Sequence, residues 1–142
     1  GTFNIRHGLA DDGINSWDNR KELVIESIKE KMPEIIGFQE VLPFVKNYLE
    51  ENLPQYILLG SGRDKDLQDE HNCVAIRRDS FEPVFLETFW LSLSPYVSGS
   101  KLDNNDGLPR ICTAVILKSK INNKLVRVFN THLDYRFSNI RL

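Results

Sequence analysis

The sequence lacks several features that would assign it to a specialised class of protein. Its 142 residues include two cysteines, Cys73 and Cys112, which are too few for a disulfide-rich scaffold. Both lie in strand-like segments, so we expect two buried free thiols rather than a disulfide. No His/Cys cluster has the ligand spacing of a zinc site, and no Gly-x-x-x-x-Gly-Lys-Ser/Thr segment is present to form a P-loop.

Long hydrophobic runs and a strong net charge are also missing. No segment approaches the roughly 20 apolar residues of a transmembrane helix, so we expect no membrane span. The net charge of −2 argues against strong sequence-independent binding of duplex DNA, which depends on many Lys and Arg side chains at phosphates. The hydrophobic content of 41% and the charged content of 27% are those of an ordinary globular domain with a real core.

What is present is the pattern of a mixed α/β domain. Helices are predicted from about Asp18 to Lys31 and from Pro43 onwards, where a proline suits the first helical turn. Strands are predicted over residues 2–6, 34–40, 56–59, 72–77, 84–92, 110–118 and 125–133. A turn at Asn122-Asn123 should join the last two strands as a hairpin.

The strand over residues 34–40 carries the first functional signal. It begins with an apolar run and ends on a carboxylate, Glu40. Open α/β sheets bind their ligands beyond the carboxyl ends of their strands. We therefore expect Glu40 to stand at the rim of a cleft.

Polar residues follow the apolar part of the last strand on the same face. By the two-residue period of a strand, Asn130, His132 and Asp134 share a face with Val126 and Val128. Polar groups within a core must be hydrogen-bonded. The pattern alone leaves two interpretations open: a functional rim, or a strand end exposed to solvent.

Asn4, Glu70 and Arg110 also lie at or near strand ends. Considered singly, Asn4 suits a turn residue, Glu70 a solvated loop acid and Arg110 an edge cation. Together with the carboxylate of Glu40 and the imidazole of His132, they suit the cleavage of a phosphate ester with a bound metal ion. Mg²⁺ prefers a few protein carboxylates and a substrate phosphate, and phosphate-ester cleavage depends on stabilising oxyanions. His7 and His71 have no evident partners, and we predict that both are surface residues.

Five short segments occur in a recognisable order. They are Thr2-Phe3-Asn4-Ile5-Arg6-His7-Gly8, Ile36-Gly37-Phe38-Gln39-Glu40-Val41, Phe89-Trp90-Leu91-Ser92, Leu108-Pro109-Arg110 and Asn130-Thr131-His132-Leu133-Asp134. In these segments the chain resembles the N-terminal half of the endonuclease/exonuclease/phosphatase superfamily. The resemblance covers essentially the whole chain and is closest to bacterial members.

The resemblance implies a DNase I-like four-layered α/β sandwich, of which this chain would form the N-terminal half as one mixed sheet with flanking helices. It also implies hydrolysis of phosphodiester or phosphomonoester bonds with Mg²⁺ as cofactor and Mn²⁺ as the alternative ion. Six residues receive expected roles: Glu40 as metal ligand, Asn4 beside metal and phosphate, Glu70 as a supporting acid, Arg110 and Asn130 at the substrate phosphate, and His132 at the scissile phosphate or leaving group.

Two motifs of the superfamily do not occur in the chain: Gly-Asp-x-Asn, which orients or activates the water, and a final Ser-Asp-His. The sequence begins within a strand pattern, and residues 138–142 suggest the start of a helix. We therefore expect residues 1–142 to form one partial domain, truncated at both ends and inactive alone. The core-facing sides of strands 111–117 and 126–128 should be exposed, and a missing C-terminal half or a second copy of the chain should cover them.

A rival interpretation is a non-catalytic domain that binds phosphate or protein and keeps only the fold. The superfamily handles nucleic acids, nucleotides, phospholipids and sugar phosphates, so the resemblance leaves the substrate open. The acidic charge balance tilts the expectation slightly from duplex DNA towards a smaller phosphorylated molecule.

Overall fold

The structure is a computed structural model that describes residues 1–102 and 107–134. The elements in chain order are β1 (Thr2–Asn4), α1 (Trp17–Lys31), β2 (Ile35–Gln39), α2 (Pro43–Asn52), β3 (Tyr56–Leu59), β4 (Val74–Arg77), β5 (Phe81–Trp90), β6 (Ile111–Ser119) and β7 (Leu125–Thr131). Within these ranges no helix has the length and hydrophobicity needed to cross a membrane. The helix start expected at residues 138–142 lies outside the described residues.

The first sheet has the strand order β1-β2-β4-β3. Strand β1 runs parallel to β2, and the other pairs are antiparallel. Alternate residues of β2 face the two helices: Ile36 and Phe38 are buried in one core with Ile28 of α1 and Val45 of α2. The two-residue period of the strand and the apolar stripes of the helices together explain this layer.

The second sheet is antiparallel, with the order β5-β6-β7. It packs on the opposite face of the first sheet, where Val115 and Leu117 form a second core with Val74 and Ile76. Helices, first sheet and second sheet therefore make three consecutive layers. The predicted mixed α/β class is confirmed.

One detail of the expected architecture is wrong. We predicted one mixed sheet whose core-facing side would be exposed, whereas two sheets are present and the inner sides of β6 and β7 pack on the first sheet. Periodicity shows that a strand has a buried face, but it does not show which strands pair. Two apolar residues of the inner side stay exposed, Leu86 at 47% and Val126 at 37%. Others lie on the outer face of the second sheet: Leu125 and Phe129 are 60% and 65% exposed, and Phe85 is 45% exposed.

Both cysteines are free and buried, as predicted. Burial raises the pKa of the Cys73 thiol to about 12 and also raises the pKa of Cys112. Neither thiol is therefore a candidate nucleophile, because the reactive form of cysteine is the thiolate.

The side chain of Asn130 fastens the two sheets to each other. Its Nδ2 donates to the carbonyl oxygens of Phe38 and Cys73, both at 2.8 Å, and its Oδ1 accepts from Gln39 Nε2 at 2.7 Å. Gly37 makes room for this amide, since a Cβ at that position would lie 2.8 Å from Asn130 Oδ1. The polar end of β7 is thus held directly on β2 and β4.

Replacing Asn130 with alanine should destabilise the domain by about 3 kcal/mol, because buried groups of the first sheet lose their partners. Urea denaturation of Asn130→Ala and wild type measures this free energy of unfolding. Asn122→Ala is the matched control. Asn122 accepts a hydrogen bond from Lys124 N in an exposed turn, so its replacement should lower the free energy of unfolding by less than about 1 kcal/mol. Equal losses for both variants would contradict the cross-sheet role.

Candidate active site

The ends of β1, β2 and β7 meet at one rim of the sandwich. In the parallel pair, Asn4 lies opposite Gln39, so Asn4 and Glu40 reach the same edge. The cross-sheet contact of Asn130 brings the end of β7 to that edge as well. His132 Nε2 lies 4.0 Å from Glu40 Oε1. The structure therefore brings together three predicted site residues that are far apart in sequence.

The Glu40 carboxylate is held by two hydrogen bonds. Asn4 Nδ2 donates to Oε1 at 2.7 Å, and the His7 backbone N–H donates to Oε2 at 2.6 Å. Asn4 is itself oriented, because its Oδ1 accepts from the Arg6 backbone N–H at 2.8 Å. Partial burial pushes the pKa of Glu40 upwards, but the bonds from Asn4 and His7 and the nearby imidazole of His132 outweigh it and lower the pKa. The carboxylate is thus ionised at neutral pH.

The backbone at Glu40 adopts an uncommon conformation for a residue with a side chain. Its φ is +63°, in the left-handed region, and Arg6 on the neighbouring loop has a φ of +61°. Such positions cost about 1–3 kcal/mol each and persist where the surroundings determine them. Here the hydrogen bonds to the carboxylate offset the strain, and the left-handed turn directs the side chain across the rim.

His132 forms the other side of the rim. Its side chain is 29% exposed, and its Nε2 faces Glu40. Its Nδ1 is buried and has no hydrogen-bond partner among the described residues. The exposed nitrogen is therefore the one available to a ligand.

Glu70 lies beside this pair and is not a solvated loop acid. Its Oε2 accepts from Arg63 Nη1 at 2.9 Å, while Arg63 Nε binds Asp69 Oδ2 at 2.8 Å. The other oxygen, Oε1, lies 3.9 Å from His7 Nε2. Arg63 is nearly buried, and its carbonyl oxygen accepts from Trp90 Nε1 at 2.6 Å. This anchored loop presents one oxygen of Glu70 to the cleft.

The predicted phosphate ligands Arg110 and Asn130 have different surroundings. Arg110 lines the cleft, but its Nε and Nη2 bind Asp134 Oδ2 at 3.2 and 3.1 Å. Asn130 does not reach the cleft: its amide is used between the sheets. The environment of Asn130 corresponds to a structural role instead of the predicted contact with phosphate.

Of the two histidines predicted to be surface residues, the prediction is wrong for His71, whereas the side chain of His7 is 32% exposed. His71 is buried, with its Nδ1 at 2.9 Å from the Asp69 carbonyl oxygen, and burial lowers its pKa. His7 lines the cleft and contacts Glu40 through its backbone. Sequence patterns do not identify a backbone donor, so His7 carried no signal. Arg63 was also missed, although the two acids six and seven residues later were a usable sign.

Together these groups line an open cleft of about 1040 Å³ of empty space. Its polar walls are formed by Glu40, Glu70, His7, His132, Arg63 and Arg110. Basic and acidic groups both line the cleft, which is suited to an anionic ligand held through a cation.

A metal ion could be held at two places: by the cluster of His7, Asp69 and Glu70, or by the carboxylate of Glu40. His7, Asp69 and Glu70 offer ligand atoms within 4.8 Å of one another. However, Arg63 already binds both acids of that cluster. Glu40 is the better ligand for a hard cation, because it is ionised, accessible and not paired with an arginine in the described residues. One carboxylate with several waters matches the usual protein site of Mg²⁺.

A scan of protein-family models and a search of curated proteins found no match. Solved structures, in contrast, are similar over nearly the whole chain. An endonuclease/exonuclease/phosphatase from Bacteroides vulgatus is 35% identical, with a TM-score of 0.88 over 94% of this chain and 51% of its own. A family protein from Bacteroides thetaiotaomicron is 30% identical, with a TM-score of 0.91 over 99% of this chain and 51% of its own.

A third similar structure is the mannosyl-6-phosphatase Bt3783 of Bacteroides thetaiotaomicron. It is 29% identical, with a TM-score of 0.90 over 99% of this chain and 53% of its own. The chain thus spans about half the length of the solved relatives that it matches.

Proposed function

We propose that this chain, a member of the endonuclease/exonuclease/phosphatase superfamily by its fold and its solved relatives, supplies the metal- and phosphate-binding side of a hydrolytic phosphoesterase site. The observation that carries the proposal is the meeting of Asn4, Glu40 and His132 at one rim. A plain α/β domain has no need to place an ionised, strained glutamate beside an imidazole in an open cleft.

In this proposal Glu40 is the protein ligand of Mg²⁺, with Mn²⁺ as an alternative ion. Asn4 and the His7 backbone N–H fix the carboxylate so that one face of it remains for the cation. A divalent cation bound there neutralises charge on a phosphoryl oxygen and so favours attack at phosphorus. Preorganisation of Glu40 before the ion binds reduces the cost of assembling the site.

His132 binds the scissile phosphate or its leaving group through Nε2, which is the accessible ring nitrogen. Glu70 supports the opposite wall, where Arg63 fixes its orientation. These side chains bind, orient and stabilise charge. With these roles assigned, none of these residues is left to orient an attacking water.

We assign the activation of the attacking water to the remainder of the parent protein, because the chain spans about half the length of its solved relatives. The Gly-Asp-x-Asn and Ser-Asp-His motifs of the superfamily would lie there. The same remainder, or a second copy of the chain, would cover Leu125 and Phe129 on the outer face of the second sheet. The enzyme activity is therefore proposed for the whole protein.

A sugar phosphate is the first substrate to test. The mannosyl-6-phosphatase relative is 29% identical over 99% of this chain. The net charge of −2 also favours a small phosphorylated molecule over duplex DNA. Nucleotides, phospholipid headgroups and single-stranded nucleic acids complete the panel.

Glu40→Gln in the whole protein should lower turnover on the order of a hundredfold or more, since Lewis-acid stabilisation by a bound cation is worth several kcal/mol. The variant keeps the shape of the side chain but loses the charge. Initial rates with Mg²⁺, and with EDTA added, measure the effect. Glu50→Gln is the control, because Glu50 pairs with Lys46 on the surface of α2. Near-normal, EDTA-sensitive turnover by Glu40→Gln would remove Glu40 as the ligand.

The 142-residue chain alone should not turn over phosphate esters at a useful rate, whereas the whole protein should. Positioned proton transfer contributes about 10²–10⁴ in rate, and the described residues lack a placed base for it. Parallel assays of both proteins on phosphomonoesters and phosphodiesters, with Mg²⁺ or EDTA, provide the measurement. Equal EDTA-sensitive rates would contradict the division of the site, and no activity from either protein would favour a phosphate- or protein-binding domain.

A further inference from the structure

Arg110 is a buried cation whose contacts lead to the histidine of the rim. It follows Pro109 at the start of β6 and is 8% exposed. Its Nε and Nη2 converge on Asp134 Oδ2, at 3.2 and 3.1 Å, and its Nη1 lies 3.4 Å from the His132 carbonyl oxygen. Its own carbonyl oxygen accepts from the Leu91 N–H at 2.7 Å. The backbone of Arg110 is therefore bonded to Leu91, while its guanidinium holds the segment that follows β7.

His132 lies within a short segment that is fastened at both ends to the start of β6. Before it, Thr131 Oγ1 donates to the Ile111 carbonyl oxygen at 2.9 Å. After it, the Asp134 carboxylate is buried against Arg110. Two neighbouring residues, Arg110 directly before β6 and Ile111 as its first residue, thus hold the backbone on either side of the imidazole.

This clamp matters because the ring has little else to hold it. A functional histidine is commonly oriented by a hydrogen bond at the nitrogen that does not bind the ligand. In His132 that nitrogen, Nδ1, is buried without a partner in the described residues. The orientation of Nε2 towards Glu40 therefore depends on the backbone, which contacts Arg110 through the His132 carbonyl group and Ile111 through Thr131.

We propose that Arg110 is a positioning residue for His132, and not a direct ligand of the substrate phosphate. The inference deepens the proposed phosphoesterase function and rests on it for the meaning of a positioned His132. The planar fork of arginine suits the task, since it fixes the angle between Asp134 and the His132 carbonyl group. A lysine at this position keeps the charge but offers no rigid fork.

The test uses the whole 142-residue chain without metal or phosphate. It contains three histidines, so the Cε1–H groups of the imidazoles give three signals in a ¹H–¹³C spectrum, which His→Gln variants assign. Arg110→Gln, Arg110→Lys and Asp134→Asn are compared with wild type. His71 reports on the fold, because its ring is buried and bonded to the Asp69 carbonyl group. Arg77→Gln breaks an exposed Arg–Asp pair with Asp79 and is the matched control.

The expected result is loss of the single sharp His132 signal in Arg110→Gln and in Asp134→Asn, through broadening or doubling, while the His71 signal stays unchanged. Arg110→Lys should restore the signal only in part, and Arg77→Gln should leave all three signals as in wild type. Asp134→Asn keeps nearly the same volume, so it tests the inference even where Arg110→Gln fails to fold.

The inference is overturned if the His132 signal is unchanged in folded Arg110→Lys and Asp134→Asn. It is also overturned if the His71 and His132 signals change together in both variants, since that indicates a general effect on the fold. A titration with inorganic phosphate distinguishes a positioning role of Arg110 from a direct contact with phosphate. If Arg110→Lys binds phosphate more weakly but its His132 signal without phosphate is unchanged, Arg110 is a direct ligand and the inference is overturned. Failure of wild type to bind phosphate counts against the proposed function and leaves the phosphate-free comparison valid.

Discussion

The contact between Asn130 and the first sheet is the constraint on which the site depends. Two carbonyl groups and the Gln39 amide fix the Asn130 side chain, and Gly37 provides the space for it. Strand β2 leads from that contact to Glu40, and β7 leads from it to His132. The register between the sheets therefore sets the distance between the carboxylate and the imidazole. A residue between the sheets thus controls the geometry of the cleft, although it does not reach the cleft itself.

At the rim, Glu40 combines a strained backbone conformation with a carboxylate that is held by hydrogen bonds. Glu40 adopts a left-handed backbone conformation, and its carboxylate accepts hydrogen bonds from Asn4 and from the His7 N–H. These bonds outweigh the effect of partial burial and lower the pKa of Glu40. The result is an ionised carboxylate with a fixed orientation, which suits the proposed role of Glu40 as a ligand of a hard cation that keeps most of its waters.

Strand ends and face periodicity allowed part of this arrangement to be predicted from the sequence. Glu40 at the end of an apolar run, and His132 two residues beyond Asn130 on one face, indicated a polar rim. The two-sheet architecture could not be predicted, because periodicity does not determine pairing. The same limit applies to Asn130. Its face of the strand could be predicted, but whether its side chain lies in the core or in the cleft depends on where the first sheet ends, which the sequence does not show. His7 acts through its backbone, which no side-chain pattern reports.

We propose that Glu40, Asn4 and His132 form one cation-dependent phosphate site, and paramagnetic broadening by Mn²⁺ in NMR spectra of the 142-residue chain tests this site. We predict that the His7 backbone amide, the Asn4 side-chain amide and the His132 ring lose intensity first. Signals of Arg77, at the far end of β4, and of Asn122, in the turn between β6 and β7, should persist, and Glu40→Gln should abolish the selective loss. Broadening that is centred elsewhere, or that is unchanged in Glu40→Gln, would contradict the proposed site.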